Sequence, residues 1–231
     1  MNIRDFITSN NEVRSHEKIK FSMRFKLIAD VLSQYYFLNP LPKYLIMTNF
    51  EISGKGSKVR ITKISRNGKT IMKLLWLSWE EVEYPCELLA RQIKRSKFKP
   101  EVLVGISRGG FPVARILCDE LELRRLASLQ IEYYSAPGQT GKRPRLIYPL
   151  NADVKGKKVL LVDDVADRGD SLKLAKEHVL KRGAKKVKLA TIHYKPWSKV
   201  VPDFYVRKVK AWIVYPWERK ETIKQLKKMS L

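Results

Sequence analysis

Cysteine is scarce: Cys86 and Cys118 are the only two in 231 residues. They stand 32 residues apart in helix-like stretches, which argues against a disulfide framework or a paired-cysteine metal site and leaves both as small buried hydrophobes. The three histidines, His16, His178 and His193, fall in no triad or metal-ligand spacing, so histidine-based hydrolysis finds no support. No apolar run is long enough to cross a membrane and no secretory leader is evident, which makes the cytoplasm the expected compartment. Acidic residues are also few, 23 against 47 Lys and Arg, for a formal charge of +24. The excess is spread along the chain: residues 1–72 carry 13 basic and 5 acidic side chains, residues 73–231 carry 34 and 18. Such a field concentrates anionic ligands. Clusters such as Lys185-Lys186-Val187-Lys188 and Arg207-Lys208-Val209-Lys210 would also suit nonspecific contact with nucleic acid, but no helix-turn-helix, zinc or single-strand-binding signature points to specific recognition.

The acidic residues that are present are concentrated where they matter. Val159 to Val162 has the length and branching of a buried parallel strand, and Asp163 and Asp164 follow it directly. Two carboxylates are thereby delivered to the carboxyl end of a strand, the end at which open α/β sheets bind ligands. The turn-forming stretch Asp167-Arg168-Gly169-Asp170-Ser171 comes next, followed by a helical pattern that Gly183 closes. Vicinal carboxylates can accept hydrogen bonds from neighbouring ribose hydroxyls or hold Mg²⁺ through oxygen, and a short loop entering a helix offers amides to a phosphate. The combination fits a sugar phosphate. A second strand, Glu101 to Ile106, runs into Ser107-Arg108-Gly109-Gly110 and then a helix with Pro112 near its start. The glycines let backbone amides approach an anion closely, and Arg108 adds a fork of donors.

These two motifs, in this order and spacing, resemble the type I phosphoribosyltransferases. The resemblance implies an α/β fold, a mostly parallel central sheet flanked by helices, with transfer from 5-phosphoribosyl 1-pyrophosphate. It assigns Asp163 and Asp164 to the ribose hydroxyls and Mg²⁺, and residues Asp167, Arg168, Gly169, Asp170 and Ser171 to the 5′-phosphate. Ser107, Arg108 and Gly109 would grip pyrophosphate, with a cis peptide between Ser107 and Arg108, and Arg108 would stabilise the leaving group. Asp167 would accept a proton from the base or orient it. Two departures stand out: Arg168 replaces a usual threonine, and Asp170 puts a carboxylate in a loop meant for a dianion, so its side chain should point away.

The carboxyl-terminal third is aromatic, basic and punctuated by proline. Tyr194-Lys195-Pro196-Trp197 and Lys210-Ala211-Trp212-Ile213-Val214-Tyr215-Pro216-Trp217-Glu218 carry faces that can stack on a planar heterocycle and ammonium groups that can donate to its carbonyl. They resemble the base-binding hood of the xanthine-guanine branch, at about residues 195–218. By that resemblance Lys195 meets the 6-oxo group of a purine, Trp212 stacks on it and the Ile213 backbone reaches its 2-substituent. Guanine, xanthine and hypoxanthine all fit, and Lys195 disfavours adenine. Residues 134–149 hold glycines, prolines and the cations Lys142, Arg143 and Arg145, and are expected to form a mobile lid beside the pyrophosphate. Tyr215 and Trp217 are assigned to packing.

The catalytic unit is expected over residues 73–231, opening with a capping box from Ser78 to Glu81 and an amphipathic helix to about Lys97. Residues 1–72 match nothing in the family core. They form either a poorly defined amino-terminal accessory segment, helical over about 18–36 with a strand pair around Gly54 to Thr62, or an extension upstream of a true start at Met72. The second is slightly favoured, because Met72 to Leu75 sits where the family's first strand should begin. The family's habit of forming dimers or tetramers implies a homo-oligomer. An enzyme of 6-oxopurine salvage is the leading expectation; alternatives are transfer to another nucleobase, or a regulator that senses phosphoribosyl pyrophosphate or a nucleotide and binds nucleic acid.

Overall fold

The computed structural model describes residues 45–54, 57–66, 69–134 and 143–230. The expected helix over 18–36 and Lys142 lie outside them. Among the described residues ten strands form two sheets. Strands β1 (Leu45–Gly54), β2 (Ser57–Arg66) and β3 (Lys69–Trp76) make an antiparallel meander, to which β10 (Trp212–Val214) adds in parallel beside β3. The larger sheet has the order β6-β5-β4-β7-β8-β9, built from β4 (Val102–Ser107), β5 (Leu126–Tyr134), β6 (Arg143–Tyr148), β7 (Lys158–Ala166), β8 (Lys186–Tyr194) and β9 (Phe204–Lys208). Five of its strands run parallel, and β6 alone runs antiparallel at an edge.

Helices cover both faces of the larger sheet, and strand sequence dictates how. On β4 and β7 nearly every residue is apolar, so alternate side chains serve opposite faces. Leu103, Leu160 and Val162 face one core with Leu89 and Ile93 of α1 (Glu80–Arg95) and Val113 and Leu117 of α2 (Gly110–Glu120). Val102, Val104, Val159 and Leu161 face the other, with Leu172, Ala175 and Val179 of α3 (Asp170–Lys181). The caps are those the sequence forecast. Ser78 Oγ accepts the Glu81 N–H at 3.2 Å while Glu81 Oε2 accepts the Ser78 N–H at 2.7 Å, a reciprocal capping box. At the end of α3, Gly183 takes φ +87° and donates to the Leu180 carbonyl, while Ala184 donates to that of Val179, the paired bonds that close a helix through a left-handed glycine.

The expected division at residue 72 falls within β3, since that strand runs unbroken from Lys69 to Trp76 and pairs with β2 from Arg66 to Arg60. Ile64 of β2, fully buried, packs with Leu74 and Val214. Leu75 on the opposite face joins the main core together with Ile213. Two further expectations change. The strand carrying the carboxylates does not stop at Val162 but continues through them to Ala166, because Asp163, Val165 and Ala166 keep their register against Thr191, His193 and Tyr194. Residues 143–148, expected in a mobile loop, form β6, and Pro144 fits there because an edge strand can spare an amide. A last helix, α4 (Arg219–Ser230), follows a short 3₁₀ turn at Pro216–Glu218 and sends Leu226 against Ile64, Leu74 and Val214.

Candidate active site

All five parallel strands point their carboxyl ends the same way, and the chemistry-bearing residues collect there. Asp164 is buried and Asp163 partly so, at the end of the central strand β7. Burial pushes the Asp164 carboxyl up to about 6, against an opposing pull from the Val165 amide. Burial, followed by repulsion from Asp164, holds Asp163 well above the ordinary carboxylate range. The Asp164 amide donates to Asp163 Oδ1 at 3.0 Å. Burial and mutual repulsion thus disfavour full charge on this pair.

The turn after β4 lies directly on that pair. Its peptide between Ser107 and Arg108 is cis, as the resemblance implies. A Cβ on Gly109 would stand 2.2 Å from Asp164 Oδ2, and one on Gly110 would stand 2.5 Å from the Val162 carbonyl. Both glycines are therefore required for the turn to approach the acidic strand this closely. Arg108 reaches outward and pairs with Glu221 of α4, Nη2 to Oε2 at 2.8 Å. Glu218 lies between these groups: burial, then Asp164 and Glu221, push its carboxyl up to about 7, while Arg108 pulls the other way.

The loop from Asp167 to Ser171 turns through Gly169 at φ +84° into the amino terminus of α3. Orphan amides of the first helical turn are open to an anion there. Residues 195–200 run alongside this loop. The Lys195 amide donates to the Ala166 carbonyl and the Lys199 amide to that of Arg168. Trp197 Nε1 donates to Asp167 Oδ1 at 2.9 Å, and Lys199 Nζ pairs with Asp170 Oδ1 at 3.1 Å. The Asp170 side chain is thus drawn towards residues 195–200.

Lys195 is buried and donates from Nζ to the carbonyl of Ala211, the residue before Trp212. Burial lowers its ammonium to about 8, and Asp167 opposes the shift. Its charge also lies 5.6 Å from the centre of the Trp197 ring. Trp212, half exposed, and buried Ile213 are held by the pairing of β10 with β3. Tyr215, assigned to packing from sequence, is fully buried, stacks on Trp217 at 4.8 Å and is also a hydrogen-bonding hub.

The structure therefore gathers Ser107 to Gly109 against Asp164, and Asp167 to Asp170 against the segment that begins at Lys195. Arg143 and Arg145 are not drawn against β7: they lie on β6, beyond β4 and β5, with Arg143 opposite Tyr134 at the carboxyl end of the sheet. Trp197, Lys199, Glu218 and Glu221 were missed as site residues. Trp197 carried a signal, since it directly follows the Lys-Pro element. The other three did not, because their partners lie 29 to 113 positions away or are approached only through the fold.

Comparison with known proteins agrees with this geometry. The model of the phosphoribosyl transferase domain matches residues 77–221. The chain belongs to that family. Phosphoribosyltransferase relatives include the xanthine-guanine phosphoribosyltransferase of Gluconobacter oxydans, 28% identical over 144 residues, covering 62% of this chain and 83% of the relative. A solved purine phosphoribosyltransferase from Pyrococcus horikoshii is 36% identical with a TM-score of 0.56, covering 62% of this chain and 93% of that one. The xanthine-guanine-hypoxanthine phosphoribosyltransferase of Helicobacter pylori shares the fold at 24% identity, with a TM-score of 0.56 over 67% of this chain and 99% of that one. The family model and the xanthine-guanine relatives support a phosphoribosyltransferase of the xanthine-guanine branch. None of the described helices is long and apolar enough to cross a membrane.

Among the described residues no group of three or more His, Cys, Asp or Glu side chains converges as a ready metal site. Mg²⁺ nonetheless fits the carboxylate pair. It is a hard cation that takes oxygen ligands, completes its shell with water and substrate oxygens, and would supply the charge that Asp163 and Asp164 lack.

Proposed function

We propose that this phosphoribosyltransferase transfers the 5-phosphoribosyl group from 5-phosphoribosyl 1-pyrophosphate to a 6-oxopurine, giving a nucleoside monophosphate and pyrophosphate. The observation that carries the reading is the seating of the Ser107–Gly110 turn on Asp164, which sets an anion-gripping turn beside a ribose-binding carboxylate. A purine nitrogen forms the new bond to the anomeric carbon as the bond from that carbon to pyrophosphate oxygen breaks, and the nitrogen's proton leaves to a base. The chain needs no covalent nucleophile. Its work is positioning and charge stabilisation.

Each substrate part has a matching wall. Asp163 and Asp164 accept from the ribose hydroxyls, and the loop from Asp167 to Ser171 offers amides to the 5′-phosphate. Ser107, Arg108 and Gly109 meet the pyrophosphate. Lys195 donates to the 6-oxo group, Trp212 stacks on the ring and the Ile213 backbone reads the 2-position. Asp167, with one oxygen occupied by Trp197, has the other for the imidazole edge of the purine. Arg143, at the amino end of antiparallel β6 and so at the carboxyl end of the parallel strands, is available to the leaving group. Mg²⁺ bound by Asp163 and Asp164 would neutralise charge on the departing pyrophosphate.

The choice of a 6-oxopurine rests on Lys195, whose only hydrogen-bonding role is donation. A 6-oxo group accepts, whereas the 6-amino group of adenine would set donor against donor. The test is pyrophosphate release by the full chain with Mg²⁺ and phosphoribosyl pyrophosphate, across guanine, hypoxanthine, xanthine, adenine, uracil and orotate. Turnover confined to the first three, and lost in Asp164→Asn, is the expected result. Turnover with adenine or a pyrimidine would overturn the base assignment; a folded chain silent with every base would overturn the reaction and favour a ligand-sensing role.

A further inference from the structure

Asp170 places a negative charge at the first residue of α3, inside the loop that receives the 5′-phosphate. A dianion binding at that helix terminus meets this carboxylate as a repulsive neighbour. The structure contains the answer to it in the adjoining segment. Lys199 Nζ stands 3.1 Å from Asp170 Oδ1, and the Lys199 amide donates to the Arg168 carbonyl at 3.0 Å, so the lysine is fixed to the loop by its backbone while its side chain neutralises the acid.

The surrounding contacts show that this pairing is built into the loop. A Cβ on Gly169 would lie 2.8 Å from both Ser198 Oγ and the Val200 nitrogen, so no side chain can separate the two segments at that point. Ser198 Oγ in turn donates to the Val200 carbonyl at 2.9 Å, holding the bend that presents Lys199. Trp197 anchors the other end of the loop at Asp167. The Lys199 side chain is 76% exposed and that of Asp170 27%, so the acid is the sheltered member and the lysine the one placed at the surface.

We propose that Lys199 is a positioning residue of the 5′-phosphate loop. It draws the Asp170 carboxylate aside and cancels its charge, which lets the loop take a dianion despite an acid at its centre. The role rests on the phosphoribosyl reading given above. It also couples the two halves of the site, because the segment that begins with base-facing Lys195 carries the cation on which the phosphate loop depends.

A solvent-exposed ion pair adds little to folding stability, so removing Lys199 leaves the fold intact and its effect on the ligand readable. Calorimetric titration of the full chain with ribose 5-phosphate and, separately, with pyrophosphate tests the proposal. Lys199→Met is expected to weaken ribose 5-phosphate by about tenfold, the scale of one uncompensated charge near a dianion in a solvated loop, and to leave pyrophosphate affinity unchanged. Adding Asp170→Ser to that variant should recover most of the lost affinity, since an absent acid needs no counter-charge. A merely structural lysine would show no such rescue. Equal ribose 5-phosphate binding by Lys199→Met and the parent, or a double variant no better than Lys199→Met, would overturn the proposal. Failure of the unaltered chain to bind ribose 5-phosphate would overturn the phosphate-loop reading and the proposal with it.

Discussion

The hydroxyl of Tyr215 donates to the backbone carbonyl of Asp164 at 3.0 Å. Its oxygen lies 2.8 Å from Nδ1 of His193, so the neutral imidazole carries its proton on Nδ1 and donates it to Tyr215. One buried phenol thereby fixes the strand bearing the carboxylates to both the neighbouring strand β8 and the hood. Tyr215→Phe removes both bonds and leaves the His193 donor and the Asp164 carbonyl without this partner. A loss of about 1–3 kcal/mol in urea unfolding is expected, the cost of stranding a buried polar group, with little change in the apolar packing against Trp217.

His193 makes stability depend on acid. Burial, and then Arg207 and Lys195, lower its pKa from 6.5 to about 3. In the unfolded chain it protonates near pH 6.5 while in the folded chain it stays neutral, so the unfolded state holds the extra proton between those values. This contribution to stability is complete above pH 6.5 and declines as the pH falls towards 3, by about 2 kcal/mol at pH 5. Asp164 and Glu218, whose pKa values are raised, act in the opposite sense. The difference between the parent and His193→Gln therefore isolates the imidazole: urea midpoints measured from pH 7 to pH 5 should converge as the pH drops. Parallel curves would sink this account.

Gly109→Ala tests the close approach of the turn to Asp164. The backbone at Gly109 has φ −62° and ψ −33°, values alanine accepts, so the fold should survive. The added methyl, however, would stand 2.2 Å from Asp164 Oδ2 and must displace the Asp164 carboxylate or the turn. Displacement of about an ångström at reacting groups costs on the order of 10²-fold in rate. Pyrophosphate release should fall by that order while circular dichroism stays unchanged.

What was legible from sequence follows from how far each signal reaches along the chain. The strands of β4 and β7, the glycine turn, the carboxylate pair and the Ser78–Glu81 cap are local patterns, in which a residue's role is set by its immediate neighbours. The Arg108–Glu221 pair spans 113 positions and the Lys199–Asp170 pair 29, and nothing in either segment alone announces its partner. The glycines and prolines of residues 134–149 signalled a loop, yet the alternation of Arg143, Arg145 and Ile147 with Pro144, Leu146 and Tyr148 suits an edge strand that has a neighbour to pair with. The meander of β1 to β3 was faint for a related reason. The partners that bury Ile64 and Leu74 are Val214 of β10 and Leu226 of α4, both from the far end of the chain.

With Lys195 as the proposed donor to the base, an alkaline limit on base binding is expected. Its ammonium, lowered to about 8 by burial, is the form that donates to a 6-oxo group, so affinity for the base should weaken as the pH rises through about 8. The purine also titrates, and Lys195→Arg separates the two, because a guanidinium stays charged throughout. KM for hypoxanthine measured from pH 7 to pH 9.5 should rise more steeply in the parent than in Lys195→Arg. Identical profiles would assign the limit to the purine and remove Lys195 from the base site.

The meander meets the proposed base site through β10, which carries Trp212 and Ile213 and finds its strand partner in β3. Ile64 on β2 is fully buried against Leu74 of β3 and Val214 of β10, so it supports β10 from behind. Ile64→Ala leaves a cavity at that junction and is expected to cost about 2–5 kcal/mol. Loosening β10 shifts Trp212 and Ile213 but leaves the Asp167–Ser171 loop, which is anchored on α3 and residues 195–200, in place. KM for the base should therefore rise several-fold while KM for phosphoribosyl pyrophosphate holds, a split that steady-state kinetics of the full-length variant would resolve. A variant that loses stability with both KM values unchanged would show that residues upstream of 72 steady the fold without shaping the base site.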